Sequence, residues 1–258
     1  MKIRFMTYNV LYGQALVMLE KLLPKAKPDI LCLQELETSE ANLKRFDKLG
    51  YRLADYSNSF IKFGKIFGVA TFYNADSMKF RQSSVINLPR SIYELILFVL
   101  RGGNRPRTVL DTEFVPKKST RAIRVHNTHL TSIAFNGSRM KQIREMLDDL
   151  PQPNTSAFIL TGDLNYIPYA RKKLETIITH YQLEEATKNI DFTLQYSRDG
   201  KLEKYNVFQK WGSKLVSALF TNKFKVDYIF FRNMRLHSTE RIDIRASDHY
   251  PILSVFEL

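Results

Sequence analysis

Cysteine is nearly absent from this chain: Cys32 is the only one in 258 residues, so no disulfide can close within it, and a chain of this length can bury a core without one. Cys32 sits in the apolar run of residues 30–33 and reads as a buried strand residue rather than a nucleophile. Tryptophan is equally scarce. Trp211 fits core packing or stacking on a base. Long hydrophobic runs are missing as well. The most apolar stretch, residues 92–100, is interrupted by Glu94 and ends at Arg101, short of the roughly 20 residues a membrane-spanning helix needs, so no integral membrane contact is expected. Residues 1–7 lack an apolar run followed by a small-residue cleavage site, which together with the lone cysteine points to a cytoplasmic protein. Acidic residues are outnumbered, 26 against 39 basic ones, for a net charge of +13. That excess favours polyanionic partners: nucleic acid fits best, and an anionic membrane surface would also satisfy it. No short repeat or low-complexity tract occurs, which excludes solenoids and propellers.

What is there alternates between two periodicities. Residues 2–10 alternate as a strand, and residues 14–27 place Leu16, Leu19, Leu22, Leu23 and Ala26 at helical spacing, with Pro24 and Pro28 ending that helix. A strand over 29–34 and a surface helix over 38–49, closed by Gly50, follow. Strands are predicted over 51–54, 68–73, 79–86, 122–128, 157–161, 226–232 and 252–258, and helices over 139–150 and 169–181. Residues 92–100 and 109–115 are candidates to pair as a hairpin around the arginine-bearing turn 101–107, and residues 151–154 form the clearest linker. This mixture suits one α/β domain spanning residues 1–258, with sheets inside and helices outside.

Several of these strands end in polar groups that a core would exclude. Asn9 ends the first, Glu35 the second and His129 a later one; Asp163 and Asn165 follow another; Asp227 opens one, and Asp248 and His249 precede the last. Any one alone has a plain explanation in turns or solvated strand ends. Together they are the parts needed to hydrolyse a phosphoester: hard oxygen ligands for Mg²⁺ or Mn²⁺, amide and imidazole donors for phosphate oxygens, and a carboxylate to orient water. His126, three residues before His129, points to the opposite strand face, and His126, His180 and His237 read as structural or surface residues.

In order and local context these segments resemble the endonuclease/exonuclease/phosphatase superfamily from Asn9 to His249. The resemblance implies a four-layer α/β/β/α sandwich with two packed central sheets and the site at one end. It also implies roles. Glu35 matches the principal metal ligand, with Asn9 beside it and Asp248 completing the metal shell or the layer behind it. Asp163 matches the residue that orients the attacking water, and Asn165, two positions on and on the same side of an extended segment, would bond the phosphate. His249 matches the histidine on the scissile phosphate, Asp227 the carboxylate that orients it, and His129 a phosphate-side or leaving-group-side histidine.

The substrate must be read elsewhere. The Thr128-His129-Leu130 segment, with Arg139 and Gln142 on the following helix, is similar to the tyrosyl-DNA phosphodiesterase, deadenylase and sphingomyelinase branches rather than the exonuclease III type. A basic rim of Arg101, Arg105, Arg107, Lys62, Lys65, Lys117, Lys118 and Arg121 would track a phosphate backbone, with Arg139 also assigned to substrate. The expectation is a monomeric Mg²⁺- or Mn²⁺-dependent nuclease or DNA-repair phosphodiesterase, DNA favoured over RNA. The alternatives are a phosphatase or phospholipid diesterase acting on inositol phosphates or sphingomyelin-like lipids, and a non-enzymatic binding module that kept the fold.

Overall fold

A computed structural model describes residues 1–88, 107–131, 136–148, 156–166, 169, 171–196 and 222–258. In chain order the strands are β1 (Lys2–Asn9), β2 (Ile30–Glu37), β3 (Tyr51–Lys62), β4 (Lys65–Asn74), β5 (Met78–Asn87), β6 (Thr108–Pro116) and β7 (Ile123–His129). Then come β8 (Ala157–Asp163), β9 (Glu184–Glu185), β10 (Leu194–Gln195), β11 (Lys223–Phe224), β12 (Asp227–Arg232), β13 (Arg235–Arg241) and β14 (Ile252–Glu257). The helices are α1 (Leu16–Ala26), the single turn α2 (Glu40–Leu43), α3 (Asn136–Asp148) and α4 (Arg171–His180). One six-stranded sheet runs β13-β14-β1-β2-β4-β3 and a second runs β5-β6-β7-β8-β12-β9, with β10-β11 as a separate ribbon.

Strand alternation builds the layers, because successive side chains leave opposite faces of a sheet. In β1, Ile3 and Phe5 point between the sheets, whereas Met6, Tyr8 and Val10 pack on Leu16, Leu19 and Leu23 of α1. In β8, Ala157 and Ile159 meet Ile3 and Phe5 in the middle, while Phe158 and Leu160 face Ile143, Met146 and Leu147 of α3 and Leu174, Ile177 and Ile178 of α4. Three apolar layers between four layers of secondary structure follow, which is the α/β/β/α sandwich. Each fully buried Leu, Ile or Phe there contributes about 1.5–3 kcal/mol. Cys32 is buried in the middle layer, as its strand position requires.

Several elements differ from the sequence expectations. Pro24 lies inside α1 rather than ending it, on the solvent side, where water can satisfy the carbonyl that loses its partner; the helix stops at Lys27, whose φ of 45° is left-handed. Residues 38–49 do not form one helix. The chain makes α2, then turns so that Phe46 is buried edge-on to Phe72, before a 3-10 turn over Asp47–Leu49 and Gly50 at φ 81°. The strand expected over 51–54 continues to Lys62, because bulges between Leu53 and Asp55 and between Asn58 and Phe60 break the alternation that would reveal it. β6 is flanked by β5 and β7 along its length, so it offers no free edge to a hairpin with residues 92–100, which lie outside the described residues together with the linker 151–154 and Trp211. Among the described residues no helix is long and apolar enough to cross a membrane.

Candidate active site

Between the two sheets the side chains change from apolar to polar in one direction along β1, β7 and β8. In β1 the inward positions run Ile3, Phe5, Thr7, Asn9; in β7 Ile123, Val125, Asn127, His129; in β8 Ala157, Ile159, Thr161, Asp163. Antiparallel β12 enters with Asp227 and runs to Ile229 and Phe231. Register then sets the polar ends side by side: His129 pairs with Asp163 across β7 and β8, and Asp227 pairs with Asp163 across β8 and β12.

A polar floor supports this row. Gln34 Nε2 donates to Asn127 Oδ1 (2.8 Å) and Thr7 Oγ1 (3.1 Å), and Asn127 Nδ2 donates to the carbonyl of Ala70 (3.0 Å). The two bonds of Asn127 join the sheets, and a buried donor left unmet would cost about 1–3 kcal/mol. Above the floor β2 carries a bulge between Leu33 and Leu36, where Glu35 has φ 54°, so its carboxylate is turned out of the pleat toward the row.

The row closes around Asp163, which is buried. Asn9 Nδ2 donates to its Oδ2 at 3.1 Å, the backbone N–H of Asn165 donates to its Oδ1 at 2.9 Å, and His129 Nε2 and His249 Nε2 lie 3.4 and 3.7 Å from Oδ2. Asp227 Oδ2 holds His249 Nδ1 at 2.8 Å, and Asp227 is itself fixed by a bond from its N–H to Thr193 Oγ1 at 3.0 Å. Ser247 Oγ sits 2.9 Å from the Asn9 carbonyl and 3.2 Å from Asp248 Oδ1, and accepts the His249 N–H at 3.1 Å, tying the loop before β14 to the end of β1. Glu35 Oε1 is 3.8 Å from His129 Nε2. All eight residues named for the site from the sequence therefore converge.

Their electrostatics follow from burial among like charges. Burial, reinforced by Asp248, pushes Glu35 up to about 7. Burial raises Asp163 as well, although His249 opposes it. Burial would strip the proton from His249, but Asp227, Asp163 and Asp248 outweigh it and hold the imidazole well above its ordinary value. His129 is held well below its ordinary value by burial and by the neighbouring positive charges of Arg107 and His249, so it is neutral.

The residues fit a cation. Asp163, Asp227 and His249 bring ligand atoms within 4.8 Å of one another. Yet His249 Nδ1 and Asp227 Oδ2 already satisfy each other at 2.8 Å, which leaves Asp227 orienting the imidazole. Glu35 is the better ligand: its Oε2 is buried with no hydrogen-bond partner, and Asp248 and Asp163 add negative charge beside it. A carboxylate-rich set of this kind suits a hard divalent ion. Asn9 holds Asp163 through Nδ2, reaches Glu35 with the same side chain, and accepts the N–H of Leu11 through Oδ1 at 3.1 Å.

Three sequence expectations change. Asn165 does not continue an extended segment: its φ is 48°, and its Nδ2 donates to the Leu130 carbonyl at 3.1 Å. Arg139 is not at a rim. It is 1% exposed, with Nε donating to the Thr131 carbonyl at 3.0 Å and a terminal nitrogen to Asn136 Oδ1 at 2.9 Å, so it braces the chain that follows His129. The basic rim also divides. Lys62, Lys65 and Arg107 lie at the site end of their strands, whereas Lys117, Lys118 and Arg121 lie between the far ends of β6 and β7, roughly 20 Å away along a seven-residue strand. Arg101 and Arg105 fall outside the described residues. His126 points away from the site, edge-on to Phe158 and 3.3 Å from Asp111, and His180 and His237 are exposed, as read from the sequence.

Sequence reasoning missed an aromatic wall beside His129. Phe60 approaches the His129 ring edge-on at 6.1 Å, and Tyr12, Phe63 and Phe67 join it. The aromatic residues at positions 60, 63 and 67 were visible in the sequence, but nothing there placed Tyr12 against them.

Solved structures share this fold at low identity. The human Nocturnin catalytic domain with bound sulfate matches with a TM-score of 0.72 and 19% identity over 99% of this chain and 94% of that one. TDP2 of D. rerio, complexed with a single-strand DNA product, gives 0.67 and 15% over 100% and 99%. A mannosyl-6-phosphatase of Bacteroides thetaiotaomicron gives 0.69 and 16% over 99% and 100%. No curated protein sequence matches the chain. The model of the Endonuclease/Exonuclease/phosphatase family matches residues 6–249, from β1 through His249. The chain thus belongs to the endonuclease/exonuclease/phosphatase family, whose members hydrolyse phosphoester bonds.

Proposed function

We propose that this chain is a Mg²⁺- or Mn²⁺-dependent phosphodiesterase acting on nucleic acid, DNA in preference to RNA. The observation that carries the reading is Asp163 Oδ2, a buried carboxylate oxygen flanked by Asn9 Nδ2, His129 Nε2 and His249 Nε2. A water placed there would be oriented for attack while the surrounding donors hold phosphoryl oxygens. The net charge of +13 supports a polyanionic substrate, as do Lys62, Lys65 and Arg107 at the site end of the molecule.

When bound at Glu35 and Asp248, a divalent ion would polarise the phosphate and offset its charge. The protein's own groups do the rest. Asp163 orients the attacking water and accepts its proton, which its raised affinity for protons favours. His249, kept charged by Asp227, donates to a phosphoryl oxygen and stabilises the charge that develops there. Neutral His129, its Nε2 3.4 Å from Asp163 Oδ2, offers one N–H toward a phosphate oxygen or the leaving group. Asn9 and Asn165 keep Asp163 in one rotamer, so little reorganisation is needed at the moment of attack.

The test is a panel of single- and double-stranded DNA, RNA, phosphoinositides and sphingomyelin, each with Mg²⁺, Mn²⁺ or EDTA. Cleavage of nucleic acid that EDTA abolishes supports the reading. Turnover confined to lipids or phosphomonoesters replaces it with the phosphatase or phospholipid diesterase alternative.

A further inference from the structure

We propose that Tyr12, Phe60 and Phe63, with the Lys62 ammonium and the Arg107 guanidinium, form a subsite for one unpaired nucleobase next to the phosphate held at the active site. This rests on the nucleic-acid reading above and names the strand form it takes. The wall is continuous with the centre through Phe60 and His129, and it rises outward through Tyr12, whose ring is edge-on to Phe60 at 6.1 Å and to Phe63 at 6.0 Å.

The backbone goes to some length to present these rings. Leu11 and Tyr12 have successive positive φ angles of 45° and 53°, and Phe63 at the β3-β4 hairpin tip has φ 53° before Gly64 at 72°. A bulky residue at positive φ is an outlier, and hairpin tips of this kind ordinarily use Asn, Asp or Gly. Such strain is kept where something else depends on it. Phe63 is nevertheless 54% exposed, so core packing does not account for it.

Charge tells what the wall takes. Lys62 Nζ lies 3.8 Å from the Tyr12 ring centroid and 5.0 Å from that of Phe63, and donates to Tyr12 Oη at 2.6 Å. The Arg107 guanidinium lies 5.4 Å from the Phe60 centroid. The exposed ring of Phe63, backed by half-buried Tyr12 and buried Phe60 and flanked by cations at the margin of a phosphate-binding centre, matches a base and its flanking phosphates. A base inside a duplex has both faces covered, so the occupant is unpaired. Ile61 and Ile66 pair across the strands on the other face of the same hairpin, at 49% and 37% exposure, which makes a membrane the competing partner to be tested.

The experiment measures equilibrium binding in EDTA, by fluorescence anisotropy, of a normal single strand and of an abasic strand of equal length and charge. Wild-type protein should prefer the strand with bases by roughly tenfold, Phe63→Ala should erase that preference, and Phe63→Trp should keep it. Lys62→Ala should lower the salt slope for both strands by about one. Equal affinity of wild type for the two strands, or equal loss on both in Phe63→Ala, overturns the subsite while leaving nucleic-acid hydrolysis standing. Loss of binding to phosphatidylserine vesicles in Phe63→Ala, with oligonucleotide binding unchanged, assigns the hairpin to a membrane instead. Failure of wild type to bind or cleave any nucleic acid removes the broader reading.

Discussion

Asn9 and Asp163 lie 154 positions apart on different sheets, and a single 3.1 Å hydrogen bond from Nδ2 to Oδ2 joins them across the mouth of the sandwich. The same side chain caps the turn that carries Tyr12 by accepting the N–H of Leu11. Asn9→Ala should therefore lower kcat by about 10- to 100-fold through loss of Asp163 positioning. It should also lower Tm by several degrees, because a buried N–H left unmet costs about 1–3 kcal/mol. Wild-type kcat in this variant, measured on whichever substrate the enzyme cleaves best, would show that Asp163 is held by other means.

The buried charges predict how the metal-free protein responds to pH. The unfolded chain releases the Glu35 proton near 4.5, the folded chain near 7, so between those values the folded state binds more protons and stability falls as pH rises. Asp163 and His249, both raised, act in the same direction; His129, held low, acts against them. Tm recorded in EDTA should decline from pH 5 to pH 8, and Mn²⁺ should recover much of the loss. A Tm that is flat or rises over that range is incompatible with this arrangement of buried carboxylates.

Gly162 precedes Asp163 with φ 131°, and a Cβ there would lie 1.9 Å from the Thr128 carbonyl oxygen. That oxygen is backbone in the adjacent strand and cannot swing aside. Gly162→Ala should destabilise the fold by about 3 kcal/mol or more and displace Asp163 from His129. Chemical denaturation reads the first effect directly, and a variant within 1 kcal/mol of wild type would contradict the close approach.

Arg139→Leu separates a buried brace from a substrate contact. With its guanidinium bonded to Thr131 and Asn136, the loss should cost about 2–4 kcal/mol, and Arg139→Lys should not restore it, since an ammonium cannot reproduce the planar fork. Unchanged stability with weakened, salt-sensitive substrate binding would return Arg139 to the rim.

Much of this was legible in the sequence because the fold turns a period of two into a gradient. Ile123, Val125, Asn127 and His129 alternate with residues facing the helices, and the switch from apolar to polar marks where the strand leaves the core. The same switch in β1 and β8 identified Asn9 and Asp163 before any pairing was known. What was hidden depends on backbone that departs from regular periods. Bulges concealed most of β3, the left-handed residues 11 and 12 concealed where Tyr12 goes, and the φ of 48° at Asn165 broke the extended geometry its spacing suggested. Arg139 was hidden for another reason. It lies on the stripe with Gln142, Ile143, Met146 and Leu147, but a charged residue on an apolar stripe reads as solvated until its buried partners are seen.

The most direct test follows cleavage of a 5′-labelled single-stranded oligonucleotide by wild type and by Asp163→Asn, with Mn²⁺ titrated from zero. Wild-type rate should rise from nothing to saturation with the ion, and Asp163→Asn should stay at least about 100-fold slower at every concentration while retaining the wild-type Tm within a few degrees. Cleavage that persists in EDTA, or an Asp163→Asn rate within tenfold of wild type, would contradict hydrolysis centred on Asp163.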